Sequence, residues 1–198
     1  SEQAIKFKPK KVCIVDSSKE KKLTELLKNE DIEIFSGVDG LHELSSYRTD
    51  LTLNAIVGAD GMIPTINAIK NNIQVALANK ESMVMAGGII NDILKKNNRK
   101  IIPVDSEHSA IFQCLVGEDL SNVSRLILTG SGGPFRTRNY SDFTNITKNE
   151  ALNHPNWEMG KKISIDSATM MNKGLEFIEA YWLFKLPIEK IDIIIHPQ

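Results

Sequence analysis

The sequence predicts an α/β protein: a parallel sheet flanked by helices, followed by a region of different, α+β character. Three observations carry this. Short apolar runs recur through the first hundred positions without a polar alternate, as in strands buried on both faces. Amphipathic helical patterns separate those runs. After His108 the alternation gives way to glycine-rich turns, a long polar stretch, one strong helix and a last strand.

Residues 11–15, Lys-Val-Cys-Ile-Val, read as a first strand, stopped by Asp16-Ser17-Ser18. Either serine can cap the helix expected over 19–29, where Leu23, Leu26 and Leu27 make an apolar stripe. A strand over 32–35 leads into a helix with Leu41, Leu44 and Tyr47 inward. Residues 53–57 form a third strand, entering Gly58-Ala59-Asp60-Gly61, and Pro64 suits the first turn of the next helix. Residues 73–78 are a fourth strand ending in Asn79-Lys80-Glu81-Ser82; a helix over 84–97 leads to a strand from Lys100. Ligands of such sheets sit outside the carboxyl ends of the strands, where these polar tetrads collect. No G-x-G-x-x-G turn is present. Residues 109–116 read as a helix, 125–128 and 191–195 as strands, and 137–150 as irregular.

The stretch from Lys100 to His108 concentrates the chemistry. If its strand runs on to Glu107, Asp105 and Glu107 project from one face. Neighbouring carboxylates repel unless a cation lies between them, and hard divalent ions take such oxygens. Alone, the pair also reads as two solvated loop acids. Gly130-Ser131-Gly132-Gly133 can turn successive backbone N–H groups toward an anion, or serve as a plain turn. If a helix starts near Ser167, then Asn172, Lys173 and Glu176 share a face; alone, Lys173 and Glu176 would be a surface ion pair. His42, His108, Cys114 and Glu179 read as structural.

With 198 residues, 41% hydrophobic content and a net charge of −1, the chain can build a real core and offers no basic field for nucleic acid. No apolar run reaches membrane-helix length. Cys13 and Cys114 read as reduced core residues. The ends carry no signal-peptide core, and the chain reads as a fragment. Its Lys, Asn and Ile richness points to an A/T-rich genome.

Five motifs in order resemble 1-deoxy-D-xylulose 5-phosphate reductoisomerases: Asn79-Lys80-Glu81-Ser82, Pro103-Val104-Asp105-Ser106-Glu107-His108, Gly130-Ser131-Gly132-Gly133-Pro134, His154-Pro155-Asn156-Trp157-Glu158-Met159-Gly160, and Ser167 to Glu176. The resemblance covers about half of a typical member. It implies the end of a Rossmann-like NADPH domain over 1–102 and a truncated catalytic domain over 103–198. It implies NADPH-dependent conversion of 1-deoxy-D-xylulose 5-phosphate to 2-C-methyl-D-erythritol 4-phosphate, by retro-aldol/aldol rearrangement then hydride transfer, with magnesium or manganese. Asp105, Glu107 and Glu176 would hold the metal and, with Lys80, form the catalytic set. Lys80, Ser106, Glu107, Ser131, His154, Trp157, Ser167, Asn172, Lys173 and Glu176 would bind substrate. Asn79, Glu81, Met159 and Gly160 would meet NADPH, with Trp157 and Met159 on a closing loop. A homodimer is implied, in a bacterial cytoplasm or a plastid of apicoplast type; the composition leans toward the plastid. Two rival readings are another metal-assisted NAD(P) dehydrogenase, and a non-catalytic anion-binding module indifferent to chelators.

Overall fold

The computed structural model of the protein describes residues 1–153 and 158–196. His154 and Trp157, both expected at the substrate, lie outside the described residues. A helix with no counterpart in the sequence reading, α1 (Glu2–Phe7), opens the chain. Then come β1 (Lys11–Ile14), α2 (Glu20–Leu26), β2 (Glu33–Ser36) and α3 (Gly37–Ser45). β3 (Leu51–Asn54), α4 (Met62–Lys70), β4 (Gln74–Leu77), α5 (Lys80–Lys96) and β5 (Ile102–Pro103) complete the alternating part. The remainder is α6 (Ser106–Cys114), β6 (Leu126–Gly130), α7 (Lys148–Leu152), α8 (Lys161–Ala168), α9 (Met171–Phe184) and β7 (Ile191–Ile195).

Every strand pairing among the described residues is parallel, as the alternation of strands and helices predicts, but of the longer strands only β4 is largely buried, and Leu51 and Leu53 of β3 are exposed. The single sheet expected of the first half is not observed among the described residues. β1 pairs with β2, and β3–β4–β5 form a separate group. α3 links the two groups by packing on β1, β2 and α4.

Two cores result. The first gathers Ile69, Ile73, Val75, Leu77, Met83, Ile90 and Leu94 from α4, β4 and α5 and the turn between them. The second gathers Leu126, Leu128, Ala180, Phe184, Leu186 and Ile191 around β6, α9 and β7. Each fully buried side chain of this size stabilises the fold by roughly 1.5–3 kcal/mol. α9 joins the cores, since its Trp182 and Leu183 also pack on the first. The crossing is close because Gly87 has no side chain; a Cβ there would lie 2.3 Å from the Trp182 ring. Asn91 Nδ2 donates to the Trp182 carbonyl at 2.9 Å, locking the same crossing.

Element ends differ from the sequence reading where a polar side chain caps a helix early. α5 starts at Lys80 rather than 84, because Asn79 Oδ1 accepts from Ser82 N at 2.9 Å. The Lys100 strand stops at Pro103, and Asp105 caps α6 by accepting from Ser106 N at 2.9 Å. Asp105 and Glu107 therefore do not share a strand face. They converge as N-cap and second residue of a helix. The helix expected from Ser167 is two helices, broken at Thr169 and Met170, whose φ is 61°. Thr147 and Glu150 form a capping box that starts α7 inside the stretch read as irregular. Both cysteines are free, but Cys114 is exposed rather than in the core.

Candidate active site

The polar ends of β4, β5 and β6 meet the first turns of α5, α6 and α9 around one pocket of about 390 Å³. Its lining includes Lys80, Asp105, Ser106, Glu107, Ser131, Met159, Ser167, Asn172, Lys173 and Glu176. Every described residue expected at the substrate or metal is thus brought together.

Asp105, Glu107 and Glu176 offer carboxylate oxygens that all lie within 4.8 Å of one another. Two ammonium groups face them. Lys80 Nζ is 2.6 Å from Asp105 Oδ2 and 3.1 Å from Glu176 Oε1, and donates to Asn172 Oδ1 at 2.9 Å. Lys173 Nζ donates to Glu107 Oε1 at 2.8 Å, to the Thr129 carbonyl at 2.5 Å, and to Glu176 Oε2. Although the Lys80–Asp105 ion pair is short, Asp105 Oδ2 is buried without an aligned hydrogen bond. Three carboxylates against two ammoniums leave one negative charge unmatched in a mostly buried place.

Protonation follows from this arrangement. Burial pushes the Glu107 carboxyl up, but the hydrogen bonds from Lys173 and Ser106 together outweigh it and hold it below the usual value. Burial likewise pushes the Lys80 ammonium down, while Asp105 and Glu176 more than reverse this and keep it charged.

The glycine turn after β6 approaches α8 closely. Gly133 has φ 69°, and a Cβ on it would lie 2.6 Å from the Ser167 carbonyl. This brings the Ser131 turn beside Ser167 at the end of α8. Lys173, expected at a phosphate, instead points among the carboxylates.

Of the expected cofactor residues, Asn79 is buried, and its amide donates to the Ile56 and Gly58 carbonyls at 2.5 and 2.8 Å. Its side chain is committed to the turn after β3, and its backbone N–H donates to the Asn54 carbonyl at 3.2 Å. Glu81 is half-buried on α5 and carries a cross-link to α8, where Lys162 Nζ is 2.7 Å from its Oε1.

The sequence reading missed the Thr129 carbonyl, Ile163 and Met170 at the pocket wall. His108 and Glu179, expected to be structural, lie beside the site without lining it. Asp105, His108 and Glu179 form a second group of close potential ligand atoms. His108 Nε2 donates to the Glu176 carbonyl at 2.9 Å, and Nδ1 is 3.5 Å from Glu179 Oε2. Both residues are fully buried. The signal was in the spacing: His108 is three residues past Asp105, and Glu179 three past Glu176, one turn behind each carboxylate.

The chain matches two models that describe one enzyme, 1-deoxy-D-xylulose 5-phosphate reductoisomerase over residues 1–87 and the C-terminal domain of 1-deoxy-D-xylulose 5-phosphate reductoisomerase over residues 101–184. The chain belongs to the 1-deoxy-D-xylulose 5-phosphate reductoisomerase family. The reductoisomerase of Thermoanaerobacter pseudethanolicus is 54% identical over 198 residues, which is 100% of this chain and 52% of that protein. That of Chloroherpeton thalassium is 55% identical over 199 residues, 51% of its length. A reductoisomerase crystallised with NADPH, fosmidomycin and magnesium superposes with TM-score 0.91 and 42% identity over 99% of this chain and 51% of that one. The Zymomonas mobilis reductoisomerase with NADPH gives 0.91 and 45% over 100% and 51%. The chain thus spans about half the length of the reductoisomerases it matches. These relatives are bacterial, so the lean toward a plastid finds no support; an A/T-rich bacterial genome gives the same composition.

Proposed function

We propose that the parent protein is an NADPH-dependent reductoisomerase that converts 1-deoxy-D-xylulose 5-phosphate to 2-C-methyl-D-erythritol 4-phosphate. The observation that carries this is the convergence of Asp105, Glu107 and Glu176 beside the Ser131 glycine turn and the Ser167–Asn172 corner, in a chain of this family. A magnesium-bound relative with TM-score 0.88 supports the same reading.

The three carboxylates fit a hard divalent cation. They supply oxygen donors only, they carry surplus negative charge, and their oxygens lie within 4.8 Å of one another. Magnesium or manganese there would supply Lewis-acid polarisation of a ketone oxygen. The chain's own residues do the rest. Lys80 and Ser106 orient the hydroxylated carbons. Ser131, Ser167 and Asn172 offer donors to the phosphate, and Lys173 joins them once the carboxylates are otherwise neutralised. His154 and Trp157, outside the described residues, belong to the same reading. Asn79, Glu81, Met159 and Gly160 form the cofactor side. Closure over the pocket excludes water.

We assign 1–102 to the cofactor domain and 103–198 to the catalytic domain, supported by the two cores. A homodimer in a bacterial cell completes the reading; exposed Ile193, Ile194 and Ile195 on β7 support an apolar partner surface. Among the described residues no helix is long and apolar enough to cross a membrane.

The test is NADPH absorbance in the full-length protein with 1-deoxy-D-xylulose 5-phosphate and magnesium. The expected result is loss that requires the sugar phosphate, stops with EDTA, and drops at least about a hundredfold in Glu176→Gln. Phosphate binding untouched by EDTA, without turnover, would replace this reading with the anion-binding module.

A further inference from the structure

Lys162 is the second residue of α8, and its ammonium reaches out of the catalytic half to the first turn of α5. It lies 2.7 Å from Glu81 Oε1 and 2.6 Å from Asp166 Oδ2. Asp166 is one turn along α8 and holds the lysine in place before it meets Glu81. The other oxygen of Glu81 accepts from Asn79 Nδ2 at 3.2 Å, and that amide also donates to the Gly58 carbonyl at 2.8 Å. One polar chain therefore runs from the turn after β3, through Asn79, Glu81 and Lys162, to Asp166 and the neighbouring Ser167. Glu81 and Asp166 are only 18% and 19% exposed, so the bridge is sheltered at both acidic ends. Lys162 itself is 44% exposed, and what separates it from an isolated surface pair, whose contribution to stability would be slight, is that it joins two acids on different helices.

We propose that Lys162 is a positioning residue that couples the cofactor side of the site to its phosphate side. Its ammonium fixes the Glu81 carboxylate and the start of α8 together. Nicotinamide nucleotide binding on α5 and phosphate binding at the end of α8 then favour each other. The assignment of the two sides rests on the proposed function.

The experiment uses the full-length protein and two readouts. NADPH affinity is measured by fluorescence titration, alone and with saturating fosmidomycin. Steady-state turnover gives kcat and both KM values. In Lys162→Met the NADPH dissociation constant is expected to rise three- to tenfold, most strongly with fosmidomycin present, with kcat changed less than twofold. Lys162→Arg should restore it, and Asp166→Asn should give a smaller loss. An NADPH affinity within twofold of wild type in Lys162→Met overturns the coupling. So does a loss in kcat and both KM values that tracks a lowered melting temperature, or a Lys162→Arg variant as weak as Lys162→Met. If Lys162→Met does not fold, Asp166→Asn decides alone by the same criterion. Wild-type protein that binds NADPH but turns over no sugar phosphate removes the proposed function, while the affinity ratios still judge the coupling.

Discussion

Glu179 is the residue whose state is most at odds with its type. Burial, and next the nearby Asp105 charge, push its carboxyl up to about 9 from 4.5, and both oxygens lack hydrogen bonds. Such a group binds its proton in the folded chain and loses it in the unfolded chain. Metal-free stability should therefore fall as pH rises from about 4.5 toward about 9. His108 acts in the opposite sense: burial lowers its pKa, so stability is lost as pH falls below its unfolded value of 6.5. Urea unfolding across this range should show the alkaline decline in wild type and its disappearance in Glu179→Gln. Lys173 makes a second residue-scale prediction. Its removal in Lys173→Met leaves Glu107 and Glu176 without their shared counter-ion, which costs about 3–5 kcal/mol in a buried setting. Added magnesium should raise the melting temperature of this variant more than that of wild type; equal shifts would contradict a shared carboxylate centre.

At the scale of elements, the N-terminal turns of α5, α6 and α9 do the positioning. Asn79 and Asp105 are both caps, and each places the next functional residues at the pocket. The α5–α9 crossing holds Lys80 against Glu176. Gly87→Ala puts a methyl into the Trp182 ring and should cost about 1–3 kcal/mol, read as a lowered urea midpoint. Gly88→Ala meets Trp182 only at 3.5 Å and should cost less. The same crossing explains why the sequence reading began α5 too late. Lys80, Glu81 and Ser82 look like a polar loop, yet Ser82 is fully buried and bonded to the cap.

At the scale of the whole molecule, two cores share α9, so they should unfold together. Trp182→Ala removes the ring by which α9 packs on the first core, and an expected loss of about 3 kcal/mol would be seen as one cooperative transition moved to lower denaturant. Two separate transitions in wild type would contradict the shared crossing. The match to reductoisomerase structures along the whole chain fits this single arrangement.

The sequence by itself determined the parallel sense of the strands, the order of the motifs, the family and most of the pocket residues, but not which strands pair. Apolar runs and cap-forming tetrads act locally and can be read locally. The mutual placement of Asp105, Glu107 and Glu176, the two lysines between them, and the second layer of His108 and Glu179 belonged to the tertiary structure. The sequence pointed to a strand face for Asp105 and Glu107, and only the early cap of α6 turned that into a helix N-terminus. Likewise, nothing local shows that Lys173 turns inward or that Lys162 crosses to α5. These contacts span dozens of residues, and the packing of α9 on α5 decides which charges are buried together and must neutralise one another.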